Sequence, residues 1–133
     1  MKNQGQDFYV FGEFWNAKEE DNNTYLEKTE NRFDLVDVRL HYNLYDASLK
    51  GADYDLTTIF EQTLVKITLS IAVTFVENHD TQRGQALEST VEEWFKPSAY
   101  ALILLRKDGL PCLFYGDYYG IEVSLLKKVS KRS

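Results

Sequence analysis

The sequence predicts an α/β domain with a mainly parallel sheet, on three observations. Four short apolar runs recur along the chain, each leads into a polar or glycine-containing stretch, and helical patterns lie between them. The runs are Phe8 to Phe11, Leu35 to Leu40, Ala72 to Val76 and Pro111 to Tyr115, and they read as strands. Connections long enough to hold a helix imply right-handed crossovers between parallel neighbours.

The first connection, Asn16 to Asn31, is charged, with Tyr25 and Leu26 as packing anchors for a short helix. In the second, Leu56, Ile59, Phe60, Thr63 and Leu64 fall at helical spacing behind a capping Asp55, which predicts a crossover helix over 55–66. In the third, Pro97 suits the first turn of a helix through Ser98, Ala99, Tyr100 and the aliphatic run Ala101 to Leu105, and Gly109 and Pro111 stop it. Two architectures satisfy this order: a doubly wound sheet and a segment of a (β/α)8 barrel.

A length of 133 residues allows one domain with a hydrophobic core. The net charge of −6 argues against a nucleic-acid surface, which needs a basic field, and favours a neutral substrate. Aromatic residues make up 14% of the chain, a fraction compatible with sugar stacking but better explained by core packing. The single cysteine, Cys112, excludes an internal disulfide and reads as a small buried hydrophobe. Neither a signal peptide nor a membrane-spanning stretch is visible, so the chain as given is expected to be soluble and cytoplasmic, whereas a longer parent could be secreted. The closing Lys127, Lys128, Lys131 and Arg132 form a basic tail over 122–133, expected to be frayed and solvated.

Two runs end in acids in the same way: Phe11-Gly12-Glu13 and Phe75-Val76-Glu77-Asn78-His79-Asp80. In parallel α/β proteins, polar side chains at the carboxyl ends of strands gather at one mouth, where substrates bind. Acids also follow strands simply because the chain leaves the core there. Other chemistries have less to rest on. Gly12 stands alone in its loop, so no phosphate cradle is present. Asp34 and Asp37 flank or sit within the second run, unlike the acids of a phosphoacceptor domain. His41, His79, Asp80 and Glu77 lack the paired spacing of a metal site, and His41 reads as a hydrogen-bonded packing residue.

Phe11-Gly12-Glu13-Phe14-Trp15 resembles the acid/base motif of the α-amylase family, glycoside hydrolase family thirteen, and Phe75 to Gln82 resembles its Asn-His-Asp motif. Val38 to Ser48, Ala72 to Arg83, Leu87 to Tyr100 and Leu113 to Ile121 are similar to the later strands and helices of bacterial liquefying-type α-amylases. The resemblance implies that 1–121 is the C-terminal half of a catalytic (β/α)8 TIM barrel, about strands five to eight. Arg39 and Glu77 are small departures, at positions where the pattern usually has proline and often has aspartate.

What the resemblance implies chemically is retaining hydrolysis of α-1,4-glucans such as starch. That reaction uses a carboxylic acid to protonate the leaving oxygen and a second carboxylate, about 5 Å away, to attack the anomeric carbon. By resemblance Glu13 is the acid/base, and a wall of Phe11, Phe14 and Trp15 is expected to favour its protonated form by desolvation. Asp80 corresponds to the carboxylate that stabilises the transition state, His79 to the histidine that hydrogen-bonds the same sugar, and Trp15 to a stacking residue at the cleft. The family's nucleophile is an aspartate about thirty residues before the acid/base glutamate, and only twelve residues precede Glu13. The isolated chain is therefore expected to be inactive, and to self-associate through exposed strand edges or to complement another half-barrel. No cofactor is expected in this chain. The family's calcium belongs to an upstream segment of the full-length parent.

Overall fold

Asp37 shows how one residue turns this chain from sheet to helix. In the computed structural model, which describes residues 2–3, 6–7, 9–30 and 32–120, the strand Asp34–Val36 ends one residue earlier. The Asp37 carboxylate then accepts the backbone N–H of Leu40, and a 13-residue helix, Val38–Lys50, begins. Leu40, Leu44, Ala47 and Ser48 recur at helical spacing and are all buried.

In chain order the elements are β1 (Lys2–Asn3), β2 (Gln6–Asp7), β3 (Phe11–Gly12), α1 (Glu19–Lys28), β4 (Asp34–Val36) and α2 (Val38–Lys50), then α3 (Leu64–Ile67), β5 (Ala72–Phe75), α4 (Lys96–Leu104), β6 (Leu110–Cys112) and α5 (Tyr115–Tyr119). Strands β3 to β6 form one parallel sheet in sequential order, with Gly12 opposite Leu35, Val36 opposite Val73 and Phe75 opposite Cys112. The first two strands form a separate antiparallel pair.

Residues alternate across the sheet, as the pleat requires. Leu35, Ala72 and Val76 point into a core shared with Leu40, Leu44, Val65, Phe95, Ala99 and Ile103 from the helical side. Val36, Val73 and Phe75 point the other way, into a smaller cluster with Val38, Trp15, Ala17 and Tyr42. Gly109 has φ +81°, and a Cβ there would stand 2.8 Å from the Val65 side chain, so only glycine lets the chain enter β6 this close to the core.

Several expectations are corrected. The second apolar run is not one strand: its 36, 38, 40 alternation overlaps the start of α2, and the Asp37 cap makes the division. Asp37 thus lies just after its strand, and both its oxygens are occupied by the backbone N–H groups of Leu40 and Val65. The helix expected over 55–66 is broken in two. Asp55 caps a single turn at Leu56–Thr58 and Thr63 caps α3, with Gln62 at φ +58° between them. The crossover between β4 and β5 is carried mainly by α2.

The last run stops at Cys112 and turns into α5. Cys112 is exposed rather than buried, because β6 is an edge strand of the sheet. Its Pro111, which cannot donate a ladder hydrogen bond, suits that edge. The helices expected around Tyr25 and after Pro97 are present as α1 and α4. Phe8, Asn31 and the 122–133 tail lie outside the described residues. Among those described, no helix is long and apolar enough to cross a membrane.

Candidate active site

Because β3 and β5 run parallel on either side of β4, the residues that follow them emerge at one rim. Glu13 follows β3 directly, and Glu77 to Asp80 follow β5. The structure brings Glu13, His79 and Asp80 together: one side-chain donor atom from each lies within 4.8 Å of the others. Glu13 and His79 are exposed and Asp80 is partly so, which leaves the cluster open to a ligand from solvent. His79 Nε2 and Asp80 Oδ2 are 3.7 Å apart.

Asn78 organises this rim, although the sequence reading gave it no role. Its Oδ1 accepts the backbone N–H groups of Asp80 (2.9 Å) and Thr81 (3.0 Å), an Asx turn that fixes the backbone carrying His79 and Asp80. Its Nδ2 donates to Glu13 Oε1 at 3.0 Å, across 65 positions of sequence. An asparagine two residues before Asp80 was the available signal for the turn. Nothing local in the sequence marks the bond to Glu13.

The loop after β5 is anchored from below by two buried groups. Glu77, 2% exposed, accepts from the Thr81 hydroxyl (2.7 Å) and from the Val91 backbone N–H, and desolvation pushes its carboxyl up to about 7. His41, fully buried, contacts the Val76 carbonyl through Nδ1 and the Ser89 hydroxyl through Nε2, each at 2.7 Å. A carbonyl only accepts, so Nδ1 carries the proton. Burial lowers the imidazole to about 4, which keeps the ring neutral, with Nε2 facing a Ser89 hydroxyl that also lies 2.9 Å from the Leu87 carbonyl. His41 is thus the hydrogen-bonded packing residue its aromatic surroundings indicate, stacked on Phe75 with centroids 5.1 Å apart.

Trp15 and its neighbours occupy less of the rim than expected. The Trp15 indole donates to the Tyr42 hydroxyl at 3.2 Å and packs beside Phe75 and His41. Phe14 stacks on Tyr25 in the helical-side core, and Phe11 is 49% exposed. The aromatic wall expected around Glu13 is therefore not formed, because Phe14 and Trp15 leave their loop toward opposite faces of the sheet.

One imidazole and two carboxylates do not fit calcium, which takes six to eight oxygen ligands. Exposed acidic groups of this kind are common without an ion, and no metal is assigned to them.

The α-amylase catalytic domain family matches residues 1–132. The chain is 53% identical over 117 residues to a glucan 1,4-alpha-maltohexaosidase from Bacillus sp. (strain 707), covering 88% of this chain and 23% of that protein. It is 48% identical over 117 residues to an alpha-amylase of Geobacillus stearothermophilus, covering 88% of this chain and 21% of the relative. A cytoplasmic alpha-amylase of Escherichia coli (strain K12) is 48% identical over 112 residues, 84% of this chain and 23% of the relative. Among solved structures, wild-type alpha-amylase I from Eisenia fetida superposes with a TM-score of 0.58 at 20% identity, over 85% of this chain and 24% of that one. The chain thus spans less than a quarter of the length of these relatives, and its parallel sheet is a TIM-barrel-derived α/β fold. By the extent of the domain match and the identity to these bacterial enzymes, the chain belongs to the α-amylase catalytic-domain family of glycoside hydrolases.

Proposed function

We propose that the chain is the rear part of a barrel that hydrolyses α-1,4-glucans with retention, β3 to β6 corresponding to barrel strands five to eight. The observation that carries this reading is the meeting of Glu13, His79 and Asp80 at one rim of a parallel sheet. In it, Glu13 is the acid/base that protonates the leaving oxygen. Asp80 accepts hydrogen bonds from sugar hydroxyls as the ring distorts, His79 binds the same sugar, and an exposed part of Trp15 lines the cleft. The Glu13 and Asp80 separation alone would also suit an acid and its nucleophile. The motif that contains Asp80 favours the stabilising role, and it leaves the attacking carboxylate to a segment outside 1–121.

A chain without that carboxylate loses the covalent route, which is worth several orders of magnitude in rate. The isolated chain is expected to release no measurable reducing sugar from soluble starch. Release that disappears in Glu13→Gln would show that the chain is catalytically sufficient and overturn this point.

A second reading, assembly with another half-barrel or with a further copy, is favoured by apolar residues at both free edges of the sheet. Phe11 in β3, Leu110 in β6 and Leu113 just after it are each about half exposed. Light scattering is expected to show species larger than a monomer. A sharply monomeric species with a cooperative thermal transition would count against association.

A further inference from the structure

We propose that Glu77 is a positioning residue for this site: its buried carboxyl group fixes the loop that carries His79 and Asp80 and, through Thr81 and Asn78, sets where the Glu13 carboxylate stands. The sugar-facing part of the inference rests on the glucan reading above, whereas the link from Glu77 to Glu13 stands on geometry alone.

The link is a continuous run of hydrogen bonds. Glu77 Oε2 accepts from Thr81 Oγ1 at 2.7 Å, and Thr81 Oγ1 in turn accepts the Asn78 backbone N–H at 2.9 Å. Asn78 closes the Asx turn on Asp80 and Thr81 and donates to Glu13. Through its other oxygen Glu77 holds the Val91 N–H, so both ends of the loop from 78 to 91 are tied to one carboxyl group.

Protonation reverses one bond in this run. An ionised Glu77 only accepts, so the Thr81 hydroxyl points at it. A protonated Glu77 donates its O–H to Thr81, and the Thr81 hydroxyl then turns to the Asn78 carbonyl, which already lies 3.3 Å away. The direction of the hydrogen bond beside Asn78 therefore follows the charge on Glu77.

Two charged groups bear on that charge from the elements packed around it. Lys96 on α4 favours the ionised form and Asp117 on α5 opposes it. The two are themselves paired at 2.7 Å, with Glu93 on Lys96 and the Tyr100 hydroxyl on Asp117. His41 on α2, bonded to the carbonyl next to Glu77, is neutral and adds no charge.

The test is an NMR titration of the full chain from mildly acid to mildly alkaline pH, following the Asn78 side-chain amide, the Val91 amide and the Glu13 carboxyl carbon. In the wild type all three are expected to share an inflection near neutrality. Glu77→Gln should abolish it at all three while the fold persists, and Glu77→Asp should restore it at a shifted midpoint. Should Glu77→Gln fail to fold, Thr81→Val cuts the run in the middle, and is expected to keep the inflection at Val91 and lose it at Asn78 and Glu13. An unchanged Glu13 profile in either variant overturns the proposal and leaves Glu77 a fold clamp only. Maltohexaose added to the same samples separates the two readings: the inflection without a sugar-induced shift supports the positioning and counts against sugar binding by this chain alone.

Discussion

The two faces of the central sheet are built to different degrees of completeness. On the helical face, α2, α3 and α4 lay Leu40, Leu44, Val65, Ala99 and Ile103 over Leu35, Ala72 and Val76, all nearly or fully buried. On the other face, among the described residues, Val36, Val38, Val73 and Phe75 have only Trp15, Ala17 and Tyr42 packed against them. The catalytic candidates stand at the rim above, on loops rather than on either core. The division teaches that stability is concentrated on the helical side, while the other face carries the smaller apolar cluster beneath the rim.

The sharpest way to break this comparison is to remove one large side chain from the helical face. Leu44→Ala, at a fully buried position in the middle of α2, is expected to cost about 2–5 kcal/mol in denaturant unfolding. A loss under about 1 kcal/mol would show that the helical face does not dominate.

A pH series sharpens the comparison at the level of the rim. His41 is lowered from 6.5 to about 4 by burial, so it contributes stability that is complete above pH 6.5 and is lost as pH falls toward 4. Glu77 is raised from 4.5 to about 7, so its contribution is complete below pH 4.5 and is lost as pH rises through 7. Each is worth about 3 kcal/mol over its full window, and the two act in opposite directions between pH 4.5 and 6.5. Wild-type stability should vary less there than that of a variant lacking either group. Glu77→Gln should leave a profile that rises with pH, and His41→Gln one that falls, both read from chemical denaturation at several pH values.

The smallest effect belongs to the other face. Val73→Ala removes two methyl groups from the minor cluster and is expected to cost about 1.5 kcal/mol, well below the Leu44 substitution. A cost equal to that of Leu44→Ala would mean that the two faces contribute alike, and would remove the contrast on which these expectations depend.

Where patterns were local, the sequence was legible. Pro97 opens α4 and the Tyr25, Leu26 pair anchors α1, because proline geometry and helical spacing act within a few residues. Where two periods overlapped, it was not: Leu35 to Leu40 satisfies both a strand and the start of a helix, and Asp37 decides between them by binding Leu40 and Val65, the latter 28 positions away. Cys112 was read as buried from its residue type, and the edge position of β6 overrode that preference.

By itself, the sequence determined a parallel α/β domain and the two acid-bearing loops, since strand ends and motif residues are properties of adjacent positions. Only the tertiary structure decided that Asn78 binds Glu13, that Phe14 and Trp15 part to opposite faces, and that Glu77 lies buried under Thr81 and Val91. These are contacts between segments far apart in the chain. Their partners are chosen by packing, which no local pattern encodes.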